Sequence, residues 1–143
     1  MAPETLTVTA SIEHLDQAIS FIEERADQFG LEPKKKFGLL IAVEEAFVNV
    51  CHYAYPASTG EVSLSCSSDS TDFVVELVDQ GGHFDVLSLP VPDTSADIMD
   101  RQIGGLGVHF IRTLTDDVRY RREEGRNILR MSVNITRDPQ HVS

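Results

Sequence analysis

Cysteine is scarce in this chain. Only Cys51 and Cys66 occur, which is no disulfide framework of a small secreted domain. Both stand in apolar patterns that suit reduced, buried thiols. The histidines are scattered, at His14, His52, His83, His109 and His141, and no Cys/His or His/His pair has the spacing of a zinc site. No apolar run approaches the ~20 residues of a membrane span. The start, Met-Ala-Pro-Glu-Thr, carries neither the basic nor the apolar region of a signal peptide, so a cytoplasmic protein is expected. Positive charge is short as well. A net charge of −11 opposes nonspecific binding to nucleic acid or anionic membranes, and neither is expected as a partner. A Gly-x-Ser-x-Gly elbow, an internal repeat and a low-complexity tract are also missing.

What remains is a globular composition. The 143 residues, 41% of them hydrophobic, suit one domain over 1–143 with a full core. The few cations are unevenly placed. Seven of the twelve Lys and Arg lie between Arg112 and Arg137, and three more form Lys34-Lys35-Lys36. The last third therefore either faces an acidic partner or a phosphate, or is a solvated strand edge.

Thr5–Ala10 alternates and is rich in β-branched residues, which predicts a strand. Ser11 fits a helix N-cap, with His14 where a capping-box Glu would stand. Leu15, Ala18, Ile19, Ile22 and Ala26 form the stripe of that helix, and Gly30 ends it. Pro33 opens a second helix, with Lys34 to Lys36 exposed and Phe37, Leu40, Ile41, Val48 and Cys51 towards the core. It stops before Pro56. Glu61–Ser67 and Thr71–Asp79 read as an antiparallel hairpin. Residues 86–103, with three Asp, two Pro and two Ser between Asp85 and Asp97, read as a long mobile loop. A helix over Val108 to Leu114 and two strands, Asp117–Arg122 and Asn127–Val133, follow. The tail at 137–143 reads as frayed. The order β-α-α-β-β-loop-α-β-β implies a two-layer α/β sandwich, a mostly antiparallel mixed sheet covered on one face by about three helices.

Three features carry chemistry. Glu45 and Asn49 lie four apart, hence on one face of the second helix, among apolar neighbours where they are costly unless partnered. The pair suits a metal and a polarised oxygen, or it is the solvated edge of an amphipathic helix. Asp79 ends a strand before Gln80-Gly81-Gly82. A carboxylate there can read an exocyclic amine such as that of adenine, with Gly81 admitting a flat ligand; a plain Asp-x-Gly turn is the simpler alternative. Gly104-Gly105-Leu106-Gly107 before a helix is either an anion cradle or a flexible turn.

In combination these features resemble the anti-sigma regulatory factors, serine/threonine kinases of the histidine-kinase-like (GHKL, Bergerat) ATPase superfamily. The resemblance runs from about Leu6 to Met131. It rests on Glu44-Glu-Ala-Phe-Val-Asn-Val-Cys-His-Tyr-Ala-Tyr-Pro56, Asp79-Gln-Gly-Gly-His-Phe-Asp85, Gly104-Gly-Leu-Gly-Val-His-Phe-Ile-Arg112 and the closing Tyr120–Asn127. It implies a Bergerat-type fold that binds ATP with Mg²⁺ and transfers the γ-phosphoryl to Ser or Thr of a STAS-domain antagonist. A sigma factor and a homodimer are further implied partners, and a non-catalytic nucleotide-gated module is the alternative. By position, Asn49 is the implied Mg²⁺ ligand and Glu45 the general base. Asp79 and Gly81 are the adenine readers. Gly104, Gly105, Leu106, Gly107 and Val108 stand at the phosphates, Asn127 near adenine, and Arg101 in an ATP lid over 86–103. The pattern departs at Tyr53, where the family often has His, and at Asn127, where many members have Thr.

Overall fold

The computed structural model describes residues 4–55, 60–88 and 103–135. Most of the lid expected at 86–103, Arg101 within it, Pro56 and the tail at 137–143 lie outside these residues. The chain runs β1 (Glu4–Thr9), a 3-10 turn, α1 (Leu15–Phe29), α2 (Pro33–Asn49), a π turn (Val50–Ala54), β2 (Glu61–Ser68) and β3 (Asp72–Asp79). A second 3-10 turn (Val86–Ser88), α3 (Ile103–Leu114), β4 (Asp117–Glu123) and β5 (Arg126–Asn134) complete it. The sheet order is β1-β2-β3-β5-β4, with every neighbouring pair antiparallel. The expected two-layer α/β sandwich forms. Its sheet has no parallel pair among the described residues, so the mixed character does not.

Strand parity decides which side chains meet the helices. Phe73, Val75 and Leu77 of β3 pair across the ladder with Val133, Met131 and Leu129 of β5. All six are buried in the core. Successive residues alternate faces, so Asp79 and its partner Asn127 share this helix-facing side. The apolar pattern of two strands thus carries two polar residues under the helices. Ile22 of α1, Leu39, Val43 and Phe47 of α2 and Ile111 of α3 are fully buried against the sheet. Each such side chain is worth about 1.5–3 kcal/mol of burial.

Several local expectations are corrected. The Ser11 side chain makes no capping bond, and a 3-10 turn over Ile12–His14 separates it from α1, which starts at Leu15. The buried face of α2 is Leu39, Val43, Ala46, Phe47 and Val50, whereas Phe37 is 67% exposed. Residues 37–43 of α2 carry no polar side chain, so helical spacing fits more than one stripe. Among Lys34 to Lys36 only Lys34 is exposed. Lys36 pairs with Asp27 and Glu23, and Lys35 Nζ donates to the Asn134 carbonyl, because the first turn of α2 wedges between α1 and the end of β5.

The helix does end before Pro56, but through the π turn rather than as α-helix. From Pro33 to Ala54 it spans 22 residues, of which an 18-residue window has mean hydropathy 1.3. On length and composition alone that would cross a membrane, contrary to the expectation from short apolar runs. Half of it is buried inside this fold, and Glu44 and Glu45 stand in its middle. Finally, α3 starts at Ile103, so the glycine run lies inside the helix instead of preceding it.

Candidate functional site

The buried end of α2 provides the first part of the site. Asn49 is 2% exposed. Its Nδ2 donates to the Glu45 carbonyl oxygen at 2.9 Å, which fixes the amide and leaves Oδ1 without a partner among the described residues. A buried acceptor left open in this way is costly unless something fills it. The helix widens into the π turn at the very next residue, a distortion common beside functional sites. Glu45, one turn earlier, is half-buried, and among the described residues its carboxylate has no cationic partner. Burial pushes its pKa above the ordinary carboxylate value, and the charge of Glu44 adds to the shift. Glu44 itself is exposed.

The α3 helix closes on this pair through a glycine. A Cβ built at Gly107 would lie 3.0 Å from Glu45 Oε2 and 3.2 Å from Asn49 Nδ2. Any side chain would push the two polar groups aside. Three residues selected from the sequence, far apart along the chain, therefore meet. The side chain of Val108 instead packs in the core, 2% exposed. Gly104, Gly105 and Leu106 fall in the first turn of α3, where backbone N–H groups lack intrahelical partners.

The second part lies at the ends of β3 and β5. Asp79 is 4% exposed. Its Oδ1 accepts from Gly81 N at 2.9 Å and from Asn127 Nδ2 at 2.8 Å, while Oδ2 has no partner among the described residues. Asn127 Nδ2 also donates to the Gly82 carbonyl at 2.9 Å. Asn127 Oδ1 accepts from Tyr120 OH (2.7 Å), Arg122 Nη1 (3.1 Å) and Phe84 N (3.2 Å). The Asn127 amide is therefore saturated, and the open acceptor here belongs to Asp79. Gly81 serves chain packing: a Cβ there would lie 2.2 Å from the Ala54 carbonyl oxygen. Tyr55 ties the same strand end down, its hydroxyl donating to the Glu61 carbonyl and accepting from Gln80 N, both at 2.8 Å.

Beside Asp79 and Asn127 lies a cavity of about 20 Å³, lined also by Ala46 of α2, Val50 of the π turn, Leu77 and Leu129 of the sheet, and Phe84, Val86 and Tyr120. That volume holds about one water. Phe84 is held by a stack on Tyr53, ring centroids 5.0 Å apart, and by its bond to Asn127.

With this geometry in place, comparison with known proteins is informative. The family described as histidine kinase-like ATPase domain matches residues 8–133. The chain belongs to this family. Its α/β sandwich agrees with that of the ATPase domains among solved structures. The RsbU and RsbW domains of Rv1364c from Mycobacterium tuberculosis superpose with a TM-score of 0.68 at 14% identity, covering 100% of this chain and 35% of that one. That likeness is one of fold. Among curated relatives, Serine-protein kinase RsbW of Halalkalibacterium halodurans is 33% identical over 95% of this chain and 86% of its own length. Serine-protein kinase RsbW of Bacillus licheniformis is 35% identical over 61% of this chain and 58% of its own length.

Residue-by-residue reading of this ATPase domain missed Tyr120, Arg122 and Phe84. The missing signal was strand register. Tyr120 and Arg122 pair with Leu129 and Asn127 and so face the helices, whereas Arg119 and Arg121 lie on the open face. There Arg119 pairs with Asp117, and Arg121 with Glu76 and Glu123. Arg119 and Arg121 thus form a solvated strand edge. His52 and His109 are exposed and stand apart from the residues of the site.

Proposed function

We propose that the chain is a cytoplasmic, ATP-dependent protein serine/threonine kinase that phosphorylates a STAS-domain anti-sigma antagonist. The observation that carries this reading is the meeting of Glu45, Asn49 and Gly107, beside a buried Asp79 with one unpartnered oxygen, in a histidine kinase-like ATPase. Asp79 Oδ2 accepts from the exocyclic amine of adenine, a role open to an acceptor-only group. The α3 start, with Gly104, Gly105 and Leu106, offers free N–H groups and the positive end of its dipole to the phosphates.

The donor set suits Mg²⁺. Asn49 Oδ1 is a hard, buried, unpartnered oxygen, and this ion takes few protein ligands while keeping waters. Bound there, Mg²⁺ would neutralise charge on the phosphates. Glu45 does the proton work. A serine or threonine hydroxyl gives its proton to the Glu45 carboxylate as its oxygen attacks the γ-phosphorus. The bond from the γ-phosphorus to the bridging oxygen breaks and ADP leaves with the electron pair. Burial without a cationic partner suits Glu45 to this role, since it makes the carboxylate a stronger base.

Sequestration of a sigma factor belongs to the same reading. A homodimer is supported by β1, which lies at the sheet edge and offers unpaired backbone groups. A second reading, a nucleotide-gated binding module without transfer, draws on the small size of the cavity: a base larger than one water would shift the lining Phe84–Val86 segment and so change the surface on binding. The two are separated by incubating the protein with γ-labelled ATP, Mg²⁺ and a purified STAS-domain protein. Label on serine or threonine of the STAS protein is expected. ATP binding without any transfer would overturn the kinase and leave the module.

A further inference from the structure

Two residues of β4 reach the base end without touching the open oxygen of Asp79. Arg122 Nη1 donates both to the Gly81 carbonyl at 2.9 Å and to Asn127 Oδ1 at 3.1 Å. Tyr120 OH donates to the same Oδ1 at 2.7 Å. These bonds have a directional consequence. A guanidinium and a backbone N–H are donors only, so Arg122 and Phe84 N force the oxygen of Asn127 towards themselves and its NH₂ towards Asp79 and Gly82. A flipped amide would set donor against donor on one side. On the other, its oxygen would face the Asp79 carboxylate and the Gly82 carbonyl. In the observed orientation Asp79 Oδ1 is occupied by Asn127 and Gly81, and only Oδ2 remains to meet a ligand.

We propose that Arg122, assisted by Tyr120, is a positioning residue for base selectivity: it fixes the Asn127 amide and thereby the one open oxygen of Asp79. The inference rests on the pocket being the nucleotide site. Arg122 is on an exposed strand edge yet turns its guanidinium inwards, unlike Arg119 and Arg121, which pair with Asp117, Glu76 and Glu123 on the open face or its rim. Among the described residues, the hydrogen bonds of this relay reach Asp79, Gly81, Gly82 and Phe84 and none reaches Glu45, Asn49 or Gly107, so its effect falls on recognition of the base.

The test compares Mg·ATP with Mg·ITP, in which an oxo group replaces the 6-amine, by calorimetric titration of the full chain. Wild type, Arg122→Ala, Arg122→Lys and Tyr120→Phe are measured, together with melting temperatures. Wild type is expected to prefer ATP. Arg122→Ala weakens ATP by about tenfold, the scale of one charge-assisted hydrogen bond, and narrows the ATP/ITP ratio by a similar factor. Arg122→Lys keeps a charged donor and recovers part of the ratio. Tyr120→Phe moves it in the same direction by about threefold. An unchanged ratio in Arg122→Ala, or equal losses for both nucleotides with a lowered melting temperature, overturns the relay alone. A wild type indifferent to the 6-substituent overturns the base-site reading, and the relay falls with it.

Discussion

The two halves of the pocket treat their polar groups in opposite ways. At the sheet end, Asp79 and Asn127 are held by hydrogen bonds from Gly81, Tyr120, Arg122 and Phe84, and one carboxylate oxygen is left open. At the helix end, Asn49 makes a single bond within its own helix, and Glu45 has no side-chain partner. A saturated network rigidifies and selects, which suits reading the shape of a base. A half-buried carboxylate without a partner is a stronger base than a solvated one, which suits taking a proton. The contrast assigns recognition to the strands and reactivity to the α2–α3 contact.

That division can be broken in order of size. Glu45→Gln is expected to lower single-turnover phosphoryl transfer by about 10³-fold, within the usual span for a general base, with ATP affinity retained. The variant should also melt higher at neutral pH. The folded-state pKa of Glu45 lies above its unfolded value, so the charged form opposes folding, and stability falls as pH rises from the ordinary carboxylate value through the raised one. A lower melting temperature would refute the account of its burial. Asp79→Ala should leave Glu45 and Asn49 in place and instead weaken ATP by about 100-fold, the upper range for a charged hydrogen-bond partner. Equilibrium titration checks this, and unchanged affinity would remove Asp79 from the base site.

Gly107→Ala sharpens the contrast from the other side. Its Cβ would crowd Glu45 Oε2 and Asn49 Nδ2, so kcat/KM should fall about tenfold, the scale of a modest overpacking, while the ATP/ITP ratio stays as in wild type. A changed ratio would mean that the two halves are coupled. The smallest effect is expected from Glu44→Gln. It removes the second cause of the Glu45 shift and leaves burial, the larger one. The acid limb of the pH–rate profile should move to lower pH, since Glu45 must be ionised to act as base. A limb that stays put would assign it to another group.

Much of this was legible in the residues. The i, i+4 spacing put Glu45 and Asn49 on one face, and the strand-end position singled out Asp79. The apolar stripe of α2 is ambiguous in the sequence because residues 37–43 carry no polar side chain. Its period then fits the exposed Phe37 as well as the buried Leu39. Gly81 was assigned to a ligand, although the neighbour it accommodates is the Ala54 carbonyl. Asn127 was placed beside adenine. Its register brings it opposite Asp79, and its amide is spent on Asp79, Gly82, Tyr120, Arg122 and Phe84, which spacing along one strand does not reveal.

By itself the sequence determined the order of elements, the alternation that carries Asp79 and Asn127 to the helix-facing side, and the helical spacing of Glu45 and Asn49. These follow from local geometry, with periods of 2.0 and 3.6 residues. Only the tertiary structure decided that Gly107 closes over Glu45 and Asn49, that Asn127 bonds Asp79 from 48 positions away, and that Arg122 turns inwards while its neighbours pair with strand carboxylates. Each of these depends on which surfaces pack together and in what register. Contacts of that kind are set by the burial of the whole core.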